Sequence, residues 1–193
     1  MKLFWREPQG YSANDRNKED MMNQKLDVIF SRRSVRQYRD REIPDEMIRD
    51  LLEAGMAAPS AMAKDPWHFI VIKNRAILQK LADVLTHGQM LRHAPAAFVV
   101  CGDITRAHGQ LESYMLQDLS AAVENILIAA NILGLGTCWL GIHPRAERMD
   151  GIGKLFNLPE NIIPMCGIAM GWPLDRPPAR TRFNADRVHR DTW

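Results

Sequence analysis

The chain predicts an α+β domain, with a mixed central sheet flanked by helices. Helical and extended stretches alternate through its 193 residues, but with uneven spacing and no internal repeat. No GxGxxG follows an extended run, which argues against a dinucleotide-binding doubly wound domain. Residues 96–102 (AAFVVCG) form a continuous apolar run of the kind expected in a central strand covered on both faces.

The totals agree with a single domain large enough to bury a core. At 46% hydrophobic and 25% charged, the composition is that of an ordinary soluble globular protein. With 25 basic against 23 acidic residues, the net charge of +2 lacks the basic excess of a nucleic-acid binder. No apolar run approaches the roughly 18 residues a membrane span needs. Residues 1–10 have no apolar signal core, so the expected location is cytoplasmic. Cys101, Cys138 and Cys166 are far apart, form no CxxC and sit in apolar segments. They read as buried, reduced thiols.

Taken in order, residues 1–22 are polar, mixed in charge and without periodicity, and read as an arm ahead of one domain at 23–193. A short helix over 22–30 delivers the chain to Ser31-Arg32-Arg33-Ser34-Val35-Arg36. Pro44-Asp45-Glu46 is a helix start, with acids where the dipole favours them, and Met47, Ile48, Leu51, Leu52 and Met56 follow at helical spacing to about Ala58. Residues 61–66 are a loop. Residues 67–73 (WHFIVIK) read as a strand and 75–85 as an amphipathic helix, while 88–94 are ambiguous. Residues 105–112 are polar and show no clear pattern. Residues 114–133 are the strongest helix in the chain. Gln117, Glu124 and Asn131 recur every seven positions, with Asp118 and Asn125 beside them, and nearly everything else is apolar. So narrow a polar stripe calls for cover on most sides, and a subunit interface is a candidate cover. A strand at 137–142, a short helix at 145–156 and a strand at 163–171 follow. The last stretch is rich in Pro and Arg and reads as irregular, pinned by Phe183, Val188 and Trp193.

The chemistry-bearing feature is the arginine cluster at 31–36. Guanidinium forks grip phosphate oxygens two at a time, and serine adds a neutral donor. Arg180 and Arg182 offer a second pair, and the two ends would make a phosphate clamp if the fold brings them together. Between Pro59 and Pro66, small residues let backbone pass close to a flat ligand. Gly141 ends a strand where its N–H meets no side-chain obstruction. The histidines show neither HExxH nor HxH, so no metal site is expected. There is no GxSxG, and no cysteine has the setting of a nucleophile. A phosphate clamp with glycine-lined loops and no acid–base machinery fits a protein whose cofactor performs the chemistry.

In this order the segments resemble the nitroreductase family of FMN-dependent NAD(P)H oxidoreductases. The resemblance rests on SRRSVRQY (31–38), IPDEMIRDLLEAGMAAPS (43–60), PWHFIVI (66–72), QDLSAAVENILIAANILGLGTCWLG (117–141), LPENIIPMCGIAMGWP (158–173) and RTRF (180–183). It implies an intertwined homodimer with an α+β, nitroreductase-like fold and FMN at the subunit interface. In the family's pattern Arg32 and Ser34 hold the phosphate and ribityl chain, with Arg33 beside them, and Arg180 and Arg182 close on the phosphate. Arg36 lies near flavin N1 and the C2 carbonyl, where a fixed cation favours the reduced form. Leu140 and Gly141 offer backbone N–H groups near N5 and O4. Pro59 and Ser60 come to the ring from the other subunit, and Ala63 stands in the same loop at the position that meets the flavin edge.

The implied activity is transfer of electrons from NADH or NADPH to a nitroaromatic, quinone or similar small acceptor, in a ping-pong cycle. The alternatives are a flavoenzyme with another task (dehalogenation, ene reduction, oxidation of a metabolite) or a flavin-binding protein of low turnover. The family loop reads Pro-Ser-x-x-Asn-x-Gln-Pro-Trp, whereas here Ala63 stands at the Asn position and Asp65 at the Gln position. Ala63 lacks an amide for the flavin edge, a loss of about 1 kcal/mol. Asp65, if turned inward, would set a carboxylate against an electron-rich ring.

Overall fold

A computed structural model describes residues 24–193; the arm and the start of the first helix lie outside them. Four strands form one sheet: β1 (Trp67–Ile72), β2 (Ala96–Asp103), β3 (Gly136–Gly141) and β4 (Ile162–Gly171). Their order is β1-β2-β4-β3, so the doubly covered run at 96–103 is indeed central. Every strand pair is antiparallel. The mixed character expected of the sheet is confined to a single parallel bridge between Ser34 and Thr137. The 32–36 segment touches the edge strand at that point, and the chain then passes on to Pro173, which Tyr38 bridges antiparallel, so the segment does not run along β3.

Helices cover both faces. On one, α2 (Asp45–Met56) and α4 (Glu112–Ile132) pack on Phe98, Val100, Cys166, Ile168 and Met170. On the other, α3 (Arg75–Val84) and α5 (Ala146–Phe156) cover Ala97, Val99, Cys101, Cys138 and Leu140. Successive residues of β2 thus feed opposite cores, as the period-two alternation of a strand requires. Each fully buried large side chain contributes about 1.5–3 kcal/mol. Local signals set the helix ends. Asp45 and Glu46 occupy the first turn of α2, and the Asn74 carboxamide accepts from the N–H groups of Ala76 and Ile77 to cap α3. Gly134, at φ 82°, turns the chain from α4 into β3.

The helix α1 (Asp27–Ser31) is short and lies against α4. The ambiguous stretch at 88–94 contains a 3-10 turn, Gln89–Arg92, and the patternless one at 105–112 another, His108–Gln110. The three cysteines are free and buried, as expected; burial pushes the Cys101 thiol up to about 12. The C-terminal stretch corrects the sequence reading. Phe183 (82% exposed), Val188 and Trp193 do not pin it. Backbone does: Arg180 N–H donates to Phe30 O at 3.0 Å and Leu174 N–H to Gln37 O at 3.0 Å. Among the described residues, no helix is long and apolar enough to cross a membrane.

Candidate functional site

The polar stripe of α4 organises the site. Asn131 donates to Val28 O at 2.8 Å and to Ser31 Oγ at 2.9 Å, fixing the end of α1 and the entry to the arginine cluster. Asn125 donates to Ala54 O at 3.1 Å and holds α2. Asp118 Oδ1 accepts from Ala61 N–H at 2.9 Å and anchors the loop between the prolines. Glu124 lies 3.7 Å from Arg32 Nε. One helix therefore positions three of the segments that the sequence singled out.

The segment at 30–33 meets the one at 178–180. Besides the Arg180–Phe30 bond, Arg33 donates through Nη1 to Pro178 O. The hollow lined by Arg32, Arg33, Thr137 and Arg176 is nearly filled, at about 10 Å³, room for about one water. Arg32 faces Glu124, but at 3.7 Å and with both side chains partly exposed (28% and 54%) the pair is of a kind worth only about 0–1 kcal/mol, so a bound anion can take its place. Ser34 is exposed, while Val35 is buried and donates its N–H to Thr137 O at 2.9 Å. Arg36, Arg180 and Arg182 are exposed, and no ion pair joins them to a carboxylate among the described residues. Tyr38 braces the turn by donating to Val35 O at 2.7 Å. Its burial raises the hydroxyl's pKa, so it stays a neutral donor.

The open space lies beyond, at the outer edge of β3. A cavity of about 180 Å³ is lined by Arg36, Trp139, Leu140, Gly141, His87 and Arg148, with Leu85 and Cys138 behind. Among the described residues, no acidic side chain lines it. It brings together Arg36, Leu140 and Gly141. The alternation of β3 decides which backbone groups face it. Thr137 O is turned outward to Val35, and Ile142 N–H inward to Met165 O. Gly141 and Trp139 therefore present their N–H and C=O outward, and Leu140 turns its own toward β4. Of the two N–H groups expected at this strand end, the outward one belongs to Gly141. A Cβ placed on Gly141 would meet nothing within 4 Å, so the approach is open. The sequence did not single out Trp139, His87 or Arg148 as part of this site. Trp139 stood in the TCWLG run and could have been named; His87 and Arg148 come from elements that only the fold brings here.

Pro59, Ser60 and Ala63 do not join this cavity. Their loop leads into β1, and β1 and β3 are the opposite edges of the sheet. Met62, Ala63 and Asp65 are left-handed, at φ 54°, 51° and 48°. Ser60 Oγ donates to Asp65 Oδ1 at 2.5 Å and accepts from Asp65 N–H at 3.0 Å. The Asp65 carboxylate is thus engaged with its own loop.

Comparison with known proteins supplies the lineage. The model of the nitroreductase family matches residues 29–90 and 84–172. A protein of Archaeoglobus fulgidus, provisionally named NADH dehydrogenase/NAD(P)H nitroreductase, is 46% identical over 175 residues, covering 89% of this chain and 100% of its own. A crystal structure under the same provisional name from Bacteroides thetaiotaomicron superposes with a TM-score of 0.83 at 38% identity, over 90% of this chain and 100% of that one. A provisionally named nitroreductase of Desulfovibrio desulfuricans, solved in complex with FMN, does so with a TM-score of 0.77 at 30% identity, over 90% and 99%. With its arginine segment bridged to the strand that ends at Gly141, this chain belongs to the nitroreductase family.

Proposed function

We propose that the protein is an FMN-dependent oxidoreductase that takes electrons from NADH or NADPH and passes them to a small acceptor, a nitroaromatic or a quinone, in a ping-pong cycle. The observation that carries this reading is the cavity that joins Arg36 to the outward Gly141 N–H without a carboxylate. Bound FMN supplies the two-electron chemistry, and the rest falls to side chains and backbone. Arg32, Arg33 and Ser34, with Arg180 and Arg182 from the returning chain end, hold the phosphate. Glu124 gives up Arg32 to it. Arg36 sets a positive charge where the reduced ring carries its negative charge. Gly141 offers an N–H at an open strand edge. The family's relatives support the reading: one is named an FMN reductase [NAD(P)H] of Bacillus subtilis and another an oxygen-insensitive NADPH nitroreductase of Salmonella typhimurium.

The reading includes a homodimer. The Pro59–Ser60–Ala63 loop stands at the sheet edge away from the cavity and reaches the ring of the partner's site. Apolar side chains left exposed around α1 and the end of α4, Ile29 (51%) and Ile132 (66%), support such an interface.

The test is direct. Purified protein is expected to be yellow, to release FMN on denaturation, to run as a dimer in light scattering, and to bleach on anaerobic mixing with NADH or NADPH. Colourless protein that takes up no added FMN overturns the reading. Yellow protein that neither nucleotide bleaches leaves a flavin-binding protein in place of the enzyme.

A further inference from the structure

The cavity beside β3 holds a second cation that the sequence did not mark. Arg148, in the first turn of α5, donates through Nη1 to Gly141 O at 2.7 Å. Its Nε is buried and has no hydrogen-bond partner among the described residues. Among the described residues, no carboxylate pairs with it. A buried guanidinium N–H without an acceptor is costly, and so is a cation held without a counter-charge in a partly dry site. The same cavity is lined by Arg36, also without a carboxylate partner among the described residues, and by Trp139, 37% exposed. Two unneutralised guanidinium groups and an indole around about 180 Å³ describe a place for a planar occupant that is, or becomes, anionic.

We infer that Arg148 is a positioning residue of the redox site: its bond to the Gly141 carbonyl steadies the end of β3, whose register already turns the Gly141 N–H outward, and its charge joins that of Arg36 in stabilising an anionic planar occupant. This rests on the FMN reading and deepens it, because the reduced isoalloxazine is such an occupant. The two roles share one cause. The Gly141 carbonyl holds the guanidinium at the cavity wall, and the Nε leaves donor capacity that no group among the described residues uses. Arg36 alone is exposed to water and screened by it; Arg148 is half-buried, so its field is screened less.

The experiment is a reductive titration of the FMN-loaded protein against reference dyes, for wild type, Arg148→Met and Arg148→Lys. Methionine keeps an apolar stem without charge, and lysine keeps charge without the fork. Arg148→Met is expected to retain FMN and to shift the two-electron reduction equilibrium about tenfold toward oxidised flavin, about 30 mV. Arg148→Lys is expected to recover most of that shift. A Met variant that binds FMN with the wild-type potential overturns the inference. Should the Met variant lose FMN, the Lys variant decides: a potential within about twofold of wild type supports the role, and a tenfold shift with charge retained overturns it. Wild-type protein that takes up no flavin would instead fail the FMN reading itself, so the two failures are told apart by flavin content.

Discussion

Ala63 shows how one backbone angle can reverse the meaning of a substitution. At φ 51° it sits in the left-handed region between Met62 and Asp65, which share it. Each such residue costs about 1 kcal/mol, and asparagine tolerates the region best after glycine. The family's asparagine at this position would therefore relieve the backbone besides supplying an amide. Ala63→Asn is expected to raise stability by about 0.5–1 kcal/mol, read from urea unfolding, and to change acceptor rates if the loop faces a flavin. An Asn variant no more stable than wild type would refute the backbone argument. The sequence showed that Ala63 departs from the family pattern, but alanine carries no sign of its φ. Asp65 would set a carboxylate against the ring only if turned inward; its engagement by Ser60 depends on the same left-handed turn, which the sequence equally hides.

At the scale of elements, the arginine segment is held by a close approach that only glycine permits. A Cβ on Gly136 would lie 2.7–2.8 Å from Val35 Cβ, Cγ1 and Cγ2. Valine is stiff at χ1 and cannot swing clear, so the 32–36 segment itself would have to move off β3. Gly136→Ala is expected to cost about 1–3 kcal/mol of stability and to weaken FMN retention at least tenfold. Gly153→Ala is the control, since a Cβ there meets nothing within 4 Å; in the interior of α5 it is expected to gain about 0.5–1 kcal/mol. Equal effects of the two substitutions would show that the approach does not matter. The strands and helices themselves were largely legible, because apolar runs and helical spacing report burial. Their order in the sheet was not, because four apolar runs are interchangeable as partners. The anchoring of the chain end was misread for a related reason: backbone bonds such as Arg180 N–H to Phe30 O leave no mark on side-chain identity, while Phe183 and Trp193 draw attention and do nothing there.

For the whole molecule, the layers explain where the site residues fall. β1 begins and β3 ends at the same end of the sheet, with β2 and β4 between them. His143, just past β3, meets Glu112 at the start of α4 at 2.9 Å, and Asp103 N–H donates to Pro66 O at 2.8 Å. Loops 59–66, 104–112 and 141–145 thus form one rim. Their adjacency is not readable in the sequence, where the first two are separate stretches far apart in the chain. Asp103 ties the rim together. Its carboxylate accepts from Thr105 Oγ1 and N–H and from Asn161, and these bonds, Thr105 first, hold its pKa below the ordinary aspartate value. A depressed folded pKa contributes stability that is present above the unfolded value near 3.8 and is lost as pH falls through the folded one. The rim is therefore expected to loosen in acid before the sheet does, with hydrogen exchange in 103–112 rising below about pH 4; uniform exchange across the chain would count against this.

The placement of the 59–65 loop and the arginine segment on opposite edges of one sheet also has a genetic reading. Under the proposed pairing, each subunit lends its loop to one site and its arginines to the other. A chain carrying Arg32→Ala and a chain with a disrupted loop would each be inactive alone. Co-expressed, they would form mixed pairs in which one site inherits both defects and the other inherits none. Such pairs should regain activity at one site in two, the arithmetic of intragenic complementation.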